Sequence, residues 1–87
     1  MLSNSVKVTN EQGLHMRPAG LFAKEMGAFH CDVNIVFNDK KINAKSVMNI
    51  IAACIKCGSE ITIECDGEDE QAAMDKAMAL AENGFGE

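Results

Sequence analysis

The sequence predicts an α+β fold, an open-faced β-sandwich in which a four-stranded antiparallel sheet carries three helices on one face in the order βαββαβα. Three observations carry this. Apolar and polar residues alternate in short runs around Val6, Val33–Phe37 and Ile61–Cys65. Between those runs the apolar residues recur at helical spacing. Turn residues separate the two kinds of segment. At 87 residues and 47% hydrophobic, residues 1–87 are expected to form one domain, burying about two-thirds of the unfolded surface.

Taken in order, Val6 and Val8 alternate with Lys7 and Thr9 as a half-buried strand, and Asn10-Glu11-Gln12-Gly13 reads as a turn. From Met16, residues Ala19, Phe22, Ala23 and Met26 make the buried face of a helix. Pro18 fits its first turn, where a missing N–H breaks no helical bond, and Gly27 is the expected stop. Val33, Ile35 and Phe37 form a second strand, Asn38-Asp39-Lys40 a turn, and Lys41-Ile42-Asn43 a short edge strand. Ser46 caps a short helix over Val47–Ala53, and Gly58 closes the loop after it. Ile61, Ile63 and Cys65 make the last strand. Asp66-Gly67 turns, and Asp69 caps a final helix that sets Ala73, Ala77, Leu80 and Ala81 on one face and ends at Asn83-Gly84. A ferredoxin-like core uses the same element order, so order alone leaves the strand arrangement open.

A formal charge of -5 leaves no cationic excess to displace counterions from a nucleic-acid backbone, so direct nucleic-acid binding is not expected. The longest apolar run, Ile50–Ile55, is too short for membrane insertion, and the first residues lack the apolar stretch of a secretory signal. These features point to a cytoplasmic protein.

Gly13-Leu14-His15-Met16-Arg17-Pro18-Ala19 places a histidine where a turn becomes a helix. Unbonded N–H groups and the positive end of the helix dipole make such a point an anion site. Met16, Arg17 and Ala19 can offer backbone donors there, Pro18 cannot, and the Arg17 guanidinium suits phosphate oxygens. Positive surroundings favour the neutral, nucleophilic imidazole and then its anionic phosphorylated form. By residue type alone, a single histidine near a helix end is more often a cap.

Over nearly its whole length the sequence resembles the HPr family, the histidine-containing phosphocarriers of the phosphoenolpyruvate-dependent sugar phosphotransferase system, in its Gram-positive form. The resemblance rests on Gly13–Ala19, on Asn43-Ala44-Lys45-Ser46-Val47-Met48, on Gly58-Ser59-Glu60-Ile61-Thr62-Ile63 and on Gly67-Glu68-Asp69-Glu70. It implies that His15 accepts a phosphoryl group from Enzyme I, on Nδ1, and passes it to sugar-specific IIA domains, with Arg17 stabilising the phosphate. Met16 departs from the Ala common in relatives, which changes the contact surface. The resemblance also implies phosphorylation of Ser46 by an ATP-dependent HPr kinase/phosphorylase, and a link through catabolite repression to a catabolite-control transcription regulator. Phosphate at a helix start meets the dipole favourably, so this modification would mainly add charge. Partner docking is assigned to Met16, Gly20 and Lys24 on the first helix and to Val47, Met48 and Ile51 on the second, with Ile50 in the core. The chain is thus read as a carrier between enzymes, without a cofactor or turnover of its own.

Cys54-Ile55-Lys56-Cys57 is a C-x-x-C, but redox motifs draw thiolate character from a helix N-terminus, whereas this pair follows a helix. Cys31 and Cys65 fall at strand positions, no second C-x-x-C completes a zinc site, and His30 alone does not supply one. All four cysteines are expected to be buried or half-buried free thiols, with no metal bound. Two rival functions remain: a regulatory adaptor of this fold, which would keep the serine and lack the histidine, and a small hydrolase, for which no acid–base pair stands beside His15.

Overall fold

The computed structural model describes residues 1–86. Its elements are β1 (Leu2–Lys7), α1 (Met16–Met26), β2 (Asp32–Phe37), β3 (Lys40–Asn43), α2 (Val47–Ala52), β4 (Glu60–Asp66) and α3 (Glu70–Glu82), followed by a 3₁₀ turn at Gly84–Gly86. The strands form one sheet in the order β1-β4-β2-β3, and every pairing is antiparallel. The chain therefore crosses twice by way of a helix between non-adjacent strands: α1 spans from β1 to β2 over β4, and α2 from β3 to β4 over β2. This settles the arrangement that element order left open, with β1 and β3 at the edges.

Strand alternation sets one face of the sheet against the helices. Ile61, Ile63 and Cys65 of β4 are buried, Val33 sits opposite Cys65 and Ile35 opposite Ile63, and all point inward. From above, α1 buries Ala19, Phe22, Ala23 and Met26, α2 buries Ile50, and α3 buries Ala73, Met74 and Ala77. The turn between β2 and β3 is Asn38-Asp39, both at positive φ, the two-residue connection whose twist matches that of the strands.

Three local expectations need correcting. The first strand begins at Leu2 and its ladder ends at Lys7, paired with Glu60. Val8 is fully buried just past the ladder: its N–H donates to the Ser59 carbonyl, in register, but its own carbonyl accepts from Gly58, where the chain turns at φ +87. Gly27 ends α1 as expected, in right-handed helical conformation. Asp69 stands at the start of α3 without capping it. Its carboxylate instead accepts hydrogen bonds from the backbone N–H groups of His30 and Cys31, both at 2.8 Å, and ties α3 to the entrance of β2. Leu80 and Ala81 are only half-buried, and the buried anchor at this end is Phe85 beyond the expected stop. Its ring meets Phe22 edge-on at 5.5 Å.

Candidate functional site

The loop before α1 is held by its backbone. Asn10 and Gly13 close a turn, with the Gly13 N–H donating to the Asn10 carbonyl at 2.9 Å, and the Leu14 N–H donates to the Ile55 carbonyl at 3.0 Å. Gly13 has φ +69, and a Cβ there would lie 2.2 Å from the Ile55 oxygen, so the loop closes against residues 55–56 only because position 13 carries no side chain. Leu14 is buried beneath it. These constraints deliver His15 to the N-cap of α1, half-buried, with extended backbone and no capping hydrogen bond from its side chain. The expectation that residue type alone would favour, a capping histidine, is not met.

His15 opens on a cleft of about 420 Å³ lined also by Thr9, Asn10, Glu11, Gln12 and Gly84. Met16 and Arg17 follow on the exposed first turn of the helix. The Ala19 N–H is committed to the His15 carbonyl at 3.0 Å, so of the three donors expected there, Met16 and Arg17 remain available to an anion. Asn10 is the site residue that sequence reading missed. It is buried, and its side-chain amide donates to the Gly84 carbonyl, joining the histidine loop to the C-terminal turn. An Asn opening a turn reads as exposed turn chemistry, and nothing local marked it as a tether.

Ser46 caps α2 as expected, accepting from the Asn49 N–H at 3.3 Å. Lys45 beside it donates from Nζ to the Phe29 carbonyl at 2.8 Å. Among the residues assigned to docking, Met16 is 71% exposed and Met48 72%, the two protruding apolar side chains on these helices. Lys24 is exposed, and the space beside Gly20 is open. Val47 and Ile51 differ from expectation: both are half-buried and pack against the core, because the short α2 lies close on the sheet.

The cysteines divide. Cys31 and Cys65 are buried, and burial, helped by its neighbour Cys31, pushes the Cys65 thiol up to about 11. Cys31, just before β2, is likewise raised, first by burial and then by Asp69. Cys54 and Cys57 are exposed, against the expectation, because they lie on the loop that leaves α2. Among the described residues no three His, Cys, Asp or Glu side chains could hold a metal ion, and no helix is long and apolar enough to cross a membrane.

An open antiparallel sheet carrying helices on one face, with a histidine at a helix start beside a cleft, defines the class of this small α+β protein. The family model described as the PTS HPr component phosphorylation site matches residues 2–83, and the chain belongs to this family of phosphotransferase-system phosphocarriers. It is 45% identical over 74 residues to the phosphocarrier protein HPr of Mycoplasma capricolum, covering 85% of this chain and 83% of that one. It is 39% identical over 82 residues to the HPr-like protein Crh of Bacillus subtilis, covering 94% and 96%. The structure superposes on an HPr from Thermoanaerobacter tengcongensis with a TM-score of 0.95 at 33% identity, covering 100% and 98%.

Proposed function

We propose that residues 1–87 act as one cytoplasmic carrier domain in which His15 accepts a phosphoryl group from Enzyme I and donates it to sugar-specific IIA domains. The observation that carries this is the position of His15, at the N-cap of an eleven-residue helix and on an open cleft, with a side chain that does no capping. In the first transfer an imidazole nitrogen bonds to phosphorus as the bond to the donor breaks. The helix dipole, the N–H groups of Met16 and Arg17, and the Arg17 guanidinium take up the charge of the product. The partner supplies the rest of the chemistry, so the chain is a carrier and not an enzyme.

Met16, Gly20 and Lys24 recur every four residues along one side of α1. With Met48, and with the flanks of Val47 and Ile51, they form the docking surface in this reading. Ser46 is the site for an HPr kinase/phosphorylase, and its modification would tune affinity for these partners and for a catabolite-control transcription regulator. Relatives named HPr-like protein Crh, at 39% and 40% identity, favour a second reading as a regulatory adaptor. His15 weighs against that as the sole role.

Incubation with Enzyme I and phosphoenolpyruvate decides between the two. Acid-labile phosphate mapped to His15 and transferable to a IIA domain is expected; absence of label would leave the adaptor.

A further inference from the structure

The Cys54–Cys57 pair was left without a role by the sequence, and the structure puts it behind the histidine loop. Ile55, between the two thiols, is buried, and its carbonyl holds the Leu14 N–H at 3.0 Å. The Cys57 thiol lies 3.9 Å from the carbonyl of Thr9, to which it donates, and Thr9 lines the His15 cleft. Gly58 and Ser59 continue the contact through their bonds to Val8. Cys54 itself has φ +55, a left-handed conformation that costs a side-chain-bearing residue energy. Segment 54–59 is therefore the wall against which the loop at 8–14 is built.

A bridge between Cys54 and Cys57 would act on this wall directly. It removes the S–H that Cys57 gives to the Thr9 carbonyl. It also closes a ring around Ile55, whose carbonyl holds Leu14, and subjects that carbonyl to the fixed geometry of a disulfide, with Cα atoms within roughly 7 Å.

We propose that Cys54 and Cys57 are a thiol-oxidation site, and that their intramolecular disulfide, formed by exchange with a low-molecular-weight disulfide, loosens the His15 loop and slows phosphoryl acceptance. The second half rests on His15 being the acceptor. In the exchange one cysteine thiolate attacks the small disulfide and expels one thiol. The other cysteine then attacks the mixed disulfide and expels the second. The protein loses two protons and two electrons, and the small disulfide is reduced to two thiols. Both thiols are exposed and so open to a small disulfide, and an exposed bridge is readily reduced again. Cys31 and Cys65, buried and with raised thiols, stay out of the exchange.

The test treats the full chain with oxidised glutathione, maps the bridged peptides, and follows Leu14 amide exchange and His15 phosphorylation in both redox states. The expected result is a Cys54–Cys57 bridge and Leu14 exchange faster by about fivefold, the loss of one hydrogen bond. Labelling by Enzyme I should slow several-fold and recover on reduction. The Cys54→Ser/Cys57→Ser chain should label as the reduced parent does, with or without oxidant. Unreacted thiols, stable glutathione adducts or cross-linked chains in place of the bridge would overturn the proposal. So would a bridged chain with unchanged Leu14 exchange, or one labelled at the reduced rate. If the reduced chain takes no phosphate on His15, the assignment of the acceptor fails, and the Leu14 measurement still decides whether the bridge loosens the loop.

Discussion

His15 and Ser46 occupy the same position on two different helices, the residue just before the first turn, and they are held there in opposite ways. Ser46 is secured by its own side chain, whose Oγ accepts from Asn49 three residues on. His15 is secured by the backbone of its loop, closed against Ile55 at a point where Gly13 leaves no room for a Cβ. A side chain that does the capping is part of the fold. A side chain placed by its neighbours can be spent on chemistry. The contrast teaches that removing His15 should cost function and little stability, while removing Ser46 should cost some of both.

The largest effect should follow from His15→Ala. Phosphoryl acceptance from Enzyme I should fall to background, while unfolding in urea shifts by about 1 kcal/mol or less, since the His15 side chain makes no cap hydrogen bond. Labelling that survives would break the comparison at its root. Arg17→Ala should slow the same labelling and leave the fold intact, since the guanidinium acts on charge that exists only once phosphate is present.

Gly13→Ala should be the most damaging to stability. The added Cβ meets the Ile55 carbonyl at 2.2 Å and the residue must hold φ +69, so overpacking and backbone strain add. A loss of about 2–4 kcal/mol in urea unfolding is expected. A loss no larger than that of a helix cap would mean that the loop is not braced as described.

Much of this was legible in the chain because the signals were local. Period-two runs gave three strands and the Asn38-Asp39-Lys40 turn the fourth, the Ala19–Met26 spacing gave the buried face of α1, and Ser46 before an apolar run gave the cap of α2. What escaped depends on distant partners. Asp69 looks like a helix cap in sequence, but its carboxylate reaches His30 and Cys31, more than thirty-five residues away. Asn10 and Phe85 are buried because the C-terminal turn folds back on the histidine loop, which no short window reveals. The exposure of Cys54 and Cys57, likewise, follows from where the loop after α2 runs.

The Asp69 bridge gives stability a pH dependence of its own. The backbone N–H of His30, and then that of Cys31, holds its carboxyl below the usual carboxylate range. A depressed carboxyl contributes stability above the pKa of the unfolded chain and loses it as pH falls through the folded value. Stability should therefore drop on acidification below the ordinary aspartate range, and Asp69→Asn should flatten that drop while lowering stability at neutral pH. Parallel acid limbs in the two proteins would show that the bridge carries no such charge dependence.

Ser46→Ala should have the smallest effect. Loss of an N-cap oxygen costs about 1 kcal/mol, and α2, only six residues long and anchored by buried Ile50, has little helix of its own to lose. Ser46→Asp sharpens the point, because aspartate can accept the same Asn49 N–H and adds the charge that the helix dipole favours. Urea midpoints should therefore rank the parent and Ser46→Asp together, above Ser46→Ala. With the cap preserved, any change in labelling of His15 in Ser46→Asp reports charge at the docking surface and not a weakened helix. If Ser46→Ala proved as stable as the parent, the hydrogen bond to Asn49 would be contributing nothing, and the two helix starts would differ only in chemistry.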